Sequence, residues 1–315
     1  MSPARKPGRV EVTAHAKLNL GLAVGPARPD GFHELLTVFQ SVSLADTLVA
    51  ERSARGFSLR VSHEEAAVRG RQGAAARRAI GPVADNLVVR AAKRVHEALG
   101  LLGGARFALT KRIPAQAGMG GGSADAAAAI AAVLALHGVR LPMADRLALG
   151  AELGSDVPFA LLGGTAIGRG RGESLTPTRL EGGLRAVIAV PAWRISTAEA
   201  FRSIDRRKYG LTRWKRHLRF ASSLERAEVT AFHAARFGNT FEEVLGQHRQ
   251  EFESLCARMR AAGLVQPRLT GSGSGVFGLV PAGVSPREIT GRFIGSEPLY
   301  AVRGTAKGLR LRTQS

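Results

Sequence analysis

The chain has 315 residues, 45% of them apolar, and a formal net charge of +20. That length accommodates two domains with separate cores, and no apolar run reaches the roughly 20 residues that cross a bilayer, which excludes a membrane-spanning protein. A lone cysteine, Cys256, excludes an internal disulfide framework, reads as a buried structural thiol and fits a reducing compartment, so a cytoplasmic protein is expected. The charge is of the size found in nucleic-acid binders, but it is spread along the chain and the base-stacking aromatics amount to only 5%. A solvated basic surface, densest from Arg202 to Arg219, is therefore expected, with no nucleic-acid partner.

Met1 to Arg9 is a basic, proline-containing tail that leads into no signal-peptide core, so no export is expected. From Val10 to Leu22 the residues alternate with period two, which predicts a strand with Val10, Val12, Ala14, Ala16, Leu18, Leu20 and Leu22 on one face. The other face carries Lys17 and Asn19 side by side. A turn at Pro29-Asp30-Gly31 leads to Phe32-His33-Glu34-Leu35-Leu36 and a second alternating run through Val42 to Leu48. Residues 50–82 have weak periodicity and predict strand pieces with a variable loop around Arg69 to Arg78. Leu87, Val88, Ala91, Ala92, Val95 and Leu99 mark an amphipathic helix over 86–99, with Asp85 near its cap and Gly100 at its end. A short strand, Phe107 to Thr110, then enters a glycine-rich stretch.

That stretch, Pro114-Ala115-Gln116-Ala117-Gly118-Met119-Gly120-Gly121-Gly122-Ser123-Ala124-Asp125, runs into an alanine-rich helix ending at Gly138. Glycines let successive backbone N–H groups line one concavity, and a helix N-terminus adds unpaired N–H groups and a positive dipole end. Together they make a phosphate cradle; the alternative is a flexible linker before a core helix. Neither the Walker pattern nor the dinucleotide glycine spacing is present. Ser123 is the expected N-cap, and Ile130, Val133, Leu134 and Leu136 the apolar side.

Pro142 opens a second helix that Gly154 ends, and Ser155-Asp156-Val157-Pro158-Phe159 follows. Asp156 is either the cap of another short helix or a catalytic carboxylate. Beyond the glycines at 163–172 the pattern alternates strands and helices: a strand over 186–190, a helix opened by Ser196 and Glu199, and another opened by Thr240 and Glu243. Arg268 to Phe277 holds a second glycine loop, either a tight strand connection or a phosphate contact. A helix over 286–294 and a last strand over 299–302 follow. There is no internal repeat, no Cys/His metal cluster and no marker of oligomeric state.

In this order the pieces resemble the GHMP kinase superfamily and, within it, the 4-diphosphocytidyl-2-C-methyl-D-erythritol kinases of the non-mevalonate isoprenoid pathway. Three blocks carry the likeness: Ala16 to Leu20 with Asp30 to Leu35, Pro114 to Ala126, and Leu153 to Phe159. The first separates the chain from mevalonate and homoserine kinases. The resemblance implies an α+β fold of two domains, an N-terminal ribosomal protein S5 domain 2-like domain over 9–165 and a ferredoxin-like domain over 166–304, with flexible basic tails at 1–8 and 305–315. It implies ATP and Mg²⁺ as cofactors, a small-molecule substrate, and phosphoryl transfer to that substrate's 2-hydroxyl.

By the same resemblance Asp156 takes the hydroxyl proton and Lys17 keeps Asp156 ionised and neutralises charge at the transferring group. The backbone of Pro114 to Ala124 holds the ATP phosphates, with Asn86 and Lys111 near the adenine and the Ser123 hydroxyl beside Mg²⁺. Asn19 bonds the methylerythritol end, His33 reads the cytosine edge, and Phe32 and Phe201 enclose the ring. Met119, Ala124 and Phe32 depart from the family's usual leucine, serine and tyrosine. The alternatives are another GHMP-type small-molecule kinase and, in a different class, a basic nucleic-acid-binding protein.

Overall fold

In the computed structural model, residues 7–64, 66–67, 85–206, 214–215, 217–219, 222 and 229–314 are described. The loop expected over 69–78, and residues 207–213 and 216 of the basic segment, lie outside them. Two long strands, β1 (Arg9–Ala27) and β2 (His33–Ser53), form the spine of the first sheet. Next come β3 (Phe57–His63), helix α1 (Leu87–Leu99), β4 (Gly104–Lys111), helices α2 (Gly121–His137), α3 (Met143–Leu153) and α4 (Val157–Leu162), and strands β5 (Thr165–Arg169) and β6 (Ser174–Thr178). After the short β7 (Leu180–Glu181) the chain makes β8 (Arg185–Ala189), α5 (Thr197–Arg206), β9 (Val229–Thr230), α6 (Ala231–Arg236), α7 (Arg249–Ala261), β10 (Val265–Leu269), β11 (Val276–Leu279), α8 (Pro286–Arg292), β12 (Leu299–Arg303) and β13 (Leu309–Gln314).

The first sheet runs β13-β1-β2-β4-β3, and β5 and β6 extend it from the first half of β2. Strand β2 serves two neighbours because it is long: residues 37–40 pair with β5 and residues 47–53 with β4. The sheet thus continues past the boundary expected near 165. Within the segment expected as a flexible basic tail over 305–315, residues 309–314 form strand β13, paired with β1 from Arg9↔Gln314 to Ala14↔Leu309. Its Leu309 and Leu311 alternate with arginines, a period-two pattern that the density of positive charge obscures.

Helix α2 lies against β1 and β2 with Ala124, Ala126 to Ile130 and Ala132 to Leu134 all buried. It is therefore a central helix, apolar on every side, and not the one-sided helix expected from its larger residues. Alanine has the highest helix propensity and the smallest side chain that still packs, so this run both forms the helix and lets the sheet approach it closely. Helix α1 packs beside it. Its N-cap is Asn86, whose side chain accepts from Val88 N, and not Asp85.

The second sheet, β10-β11-β8-β12, is antiparallel and buried on both faces. Val187 and Ala189 of β8 face a core with Phe252, Leu255, Cys256 and Met259 of α7, while Ala186 and Ile188 join the core of the first sheet. Strand alternation alone divides these residues between two cores. Burial pushes the Cys256 thiol up to about 12, consistent with a structural cysteine. The helix expected from Thr240 is broken into 3-10 turns over 240–244 and 246–248 ahead of α7, and Asn239 caps the first by accepting from Phe241 N. Thr240 Oγ1 instead accepts from Val24 N. Among the described residues no helix is long and apolar enough to cross a membrane.

Candidate active site

Lys17 and Asn19 sit where β1 is irregular, with register shifts against β2 between His15 and Lys17 and between Asn19 and Gly21. Bulges at such positions re-aim side chains. Both residues are buried, because the polar face of β1 is covered by the glycine stretch: Lys17 N donates to Met119 O at 3.0 Å. Lys17 Nζ donates to Asn19 Oδ1 at 2.6 Å, and Asn19 Nδ2 donates to Thr37 Oγ1 at 2.8 Å. Thr37 Oγ1 in turn donates to Gly21 O at 2.7 Å. This relay leaves Asn19 one amide hydrogen for a ligand and fixes the lysine ammonium in place.

Asp156 stands at the N-terminus of α4 but makes no capping hydrogen bond; its Oδ2 lies 3.3 Å from Lys17 Nζ. Of the two readings open for Asp156, the side-chain geometry therefore favours the charged pair over the cap. The carboxylate is one-third exposed, the lysine nearly buried. A cavity of about 760 Å³ opens in front of the pair.

The glycine stretch closes one side of that cavity. Helix α2 begins at Gly121, with Gly120 in the left-handed region as its cap (φ 67°) and no capping side chain, so Ser123 is in the first turn and not at the cap. The first-turn N–H groups are thus not taken by a capping side chain, which suits an anion. A Cβ on Gly120 would stand 3.1 Å from Lys17 Cγ and 3.7 Å from Asp156 Oδ2, filling the space beside the pair. ATP phosphates fit this bare cradle. Ala124 lines neither cavity described here: it is buried and its N–H bonds Gly120 O, because it already belongs to the helix ladder.

The second glycine loop is both a strand connection and a buttress. Gly275 N donates to Ala117 O at 3.2 Å, and Thr270 Oγ1 lies 3.1 Å from Asn19 N and 3.3 Å from Gly118 O. One hydroxyl thereby joins β1, the phosphate cradle and the second loop. Gly118 (φ 70°) packs so closely that a Cβ would overlap the Thr270 carbonyl oxygen. Gly118→Ala is accordingly expected to cost at least about 2 kcal/mol of stability in a urea melt and to weaken ATP binding; a melt unchanged from the unaltered chain would contradict this packing.

At the other end of the large cavity, His33 starts β2, is buried, and stacks on Phe201 of α5 with ring centroids 5.2 Å apart. Its Nε2 lies 2.8 Å from Asp205 Oδ1. Phe32 is half exposed, and the Arg171 guanidinium lies over its ring at 4.8 Å. Lys17, Asn19, Phe32, His33, Asp156 and Phe201 all line this one cavity.

A second cavity, about 390 Å³, lies on the far side of the glycine stretch and is lined by residues 114–123 with Asn86, Lys111 and Asp125. Gln116, Gly118, Gly120 and Ser123 border both cavities. The Lys111 ammonium is bound to Asp46 of β2 and, at 2.6 Å, to Asp125 Oδ2 of α2. Asp46 Oδ1 also accepts from Arg112 N and Ile113 N. Burial pushes the Asp125 carboxyl up to about 8, against the pull of Lys111, and its buried Oδ1 has no hydrogen-bond partner among the described residues. Among the described residues no group of three or more His, Cys, Asp or Glu is arranged to hold a metal ion.

Thr37, Asp46, Asp125, Arg171, Asp205 and Thr270 were not selected from the sequence. Each acts through a partner distant in sequence or on another element, a contact that no local pattern shows.

The model of the GHMP kinases N terminal domain matches residues 86–164. The chain is 38% identical over 267 residues to a 4-diphosphocytidyl-2-C-methyl-D-erythritol kinase of Solibacter usitatus, covering 84% of this chain and 79% of the relative. It is 37% identical to the enzyme of the same name from Pelotomaculum thermopropionicum, over 90% and 93% of the two chains. The crystal structure of a 4-(cytidine 5'-diphospho)-2C-methyl-D-erythritol kinase superposes with a TM-score of 0.70 at 34% identity, covering 94% of this chain and 99% of that one.

Proposed function

Because the chain belongs to the 4-diphosphocytidyl-2-C-methyl-D-erythritol kinase family of the GHMP kinases, we propose that it phosphorylates the 2-hydroxyl of 4-diphosphocytidyl-2-C-methyl-D-erythritol with ATP. The observation that carries this reading is the Lys17–Asp156 pair, 3.3 Å apart beside the bare glycine cradle and at the wall of the larger cavity. ATP, when bound, supplies the γ-phosphoryl group and departs as ADP.

The protein's own contribution is position and charge, which dominate in phosphoryl transfer. Asp156 accepts the proton of the acceptor hydroxyl as its oxygen attacks. Lys17, held by Asn19, which Thr37 fixes in turn, neutralises negative charge between acceptor and phosphates without having to reorient. The first-turn N–H groups of α2 hold phosphate oxygens, and the cavity with Asn86 and Leu87 takes the base. Mg²⁺ would be held mostly by phosphates and water, with the Ser123 hydroxyl within the same site. His33, Phe32 and Phe201 hold the cytosine. The reading implies action in the cytoplasm.

The test is ATP consumption with 4-diphosphocytidyl-2-C-methyl-D-erythritol beside a mevalonate control. Turnover with the first alone is the expected result; turnover with mevalonate alone, or with neither, would overturn the assignment.

A further inference from the structure

We infer that Asp205 decides which ring nitrogen of His33 carries the proton, and so makes the cavity prefer cytosine over uracil; the inference rests on the functional reading above, in which His33 faces the pyrimidine. Helix α5 holds the imidazole in two ways. Phe201 stacks on its face at 5.2 Å and 26°, and Asp205, one turn later, meets its Nε2 edge-on at 2.8 Å. The ring is thus fixed both in tilt and in rotation about its own plane. Neither constraint comes from β2, which carries His33.

An ionised carboxylate can only accept a hydrogen bond, so the Nε2 beside it must donate. In the neutral imidazole the lone pair then lies on Nδ1, which has no hydrogen-bond partner among the described residues while His33 lines the large cavity. Cytosine offers an amino donor at its 4-position where uracil offers a carbonyl acceptor. A bare Nδ1 accepts from the first and repels the second. The Phe201 ring cannot make this distinction, since a stacking face accepts either base. Asp205 touches no substrate itself and is a positioning residue. It is half exposed, so its replacement leaves the core intact.

The experiment measures CDP and UDP binding to the full chain by calorimetry, with ATP binding as the control. The unaltered chain is expected to bind CDP about 10- to 100-fold more tightly than UDP. Asp205→Ala should bring that ratio to within about threefold and leave ATP affinity unchanged, whereas Asp205→Asn, whose amide oxygen still accepts from Nε2, should keep most of it. Nitrogen-15 shifts of His33 in the unaltered chain should report a proton on Nε2 and none on Nδ1 at pH 8. An unchanged ratio in Asp205→Ala with CDP binding intact, or a proton found on Nδ1, would overturn the inference alone. Failure of the unaltered chain to bind CDP would overturn the functional reading, and the inference with it.

Discussion

Asp156→Asn is expected to lower turnover of 4-diphosphocytidyl-2-C-methyl-D-erythritol by about 10²- to 10⁴-fold, the range over which a positioned proton acceptor contributes. The amide matches the carboxylate in shape, so the substitution removes proton affinity and charge and little else. Two features keep the rest of the site in place. Asp156 makes no capping bond to α4, so the helix loses no cap, and Lys17 stays tethered through Asn19 Oδ1. ATP affinity, measured by calorimetry, should therefore remain close to that of the unaltered chain. Turnover within about threefold of normal would remove Asp156 from proton transfer. A parallel loss of ATP binding would assign it to the cradle instead.

Lys111→Met is the second large effect, and it falls on stability. The ammonium is buried between Asp46 and Asp125, and removing one member of a buried ionic group leaves uncompensated charge at a cost of about 3–5 kcal/mol. Urea melts of the variant should show that loss. Adding Asp125→Asn should recover part of it, because Asp46 retains the N–H groups of Arg112 and Ile113.

The deficit should also be larger at pH 9 than at pH 7. Asp125 already holds its proton up to about 8 with Lys111 present. Without the cation the folded-state value rises further, so above about 8 the variant keeps a proton that the unaltered chain has released and alone goes on losing stability as pH rises. A deficit independent of pH, or below about 1 kcal/mol, would mean that the trio is not a buried ionic group. Lys111 thus anchors β4 to the start of α2. Lys111 also lines the smaller cavity, with its ammonium held by Asp46 and Asp125.

What could be read from the residues follows from how far apart the interacting groups stand. The strand under Lys17 was legible because seven alternating apolar residues outvote any other periodicity, and the cradle because glycines and an alanine run are local. That Lys17 and Asn19 would be buried was not, since their cover arrives from Met119 and Thr270. Ser123 is a better capping residue than Gly120, yet the backbone turns into the helix three residues earlier than side-chain preference suggests. At Thr240 a stronger local competitor won, because Asn239 caps the turn and Gly246, at φ 54°, breaks the helix beyond it. The C-terminal end of the chain misled through composition: arginines in β13 read as solvent-seeking, although on a half-covered strand they occupy only the alternate positions.

The pairing of β13 with β1 has a kinetic consequence. Arg9 and Gln314 meet across almost the whole sequence, so their ladder closes only after the intervening segments have been made and folded. Until then the first half of β1 presents an open edge of unpaired amides and carbonyls, the form of backbone most prone to join another chain. The residues opposite it, Arg310 and Arg312 among them, bring positive charge to that edge when they dock. Chains caught before this step would therefore be the aggregating species, and the strand that carries Lys17 would be the last to be sealed at its outer border.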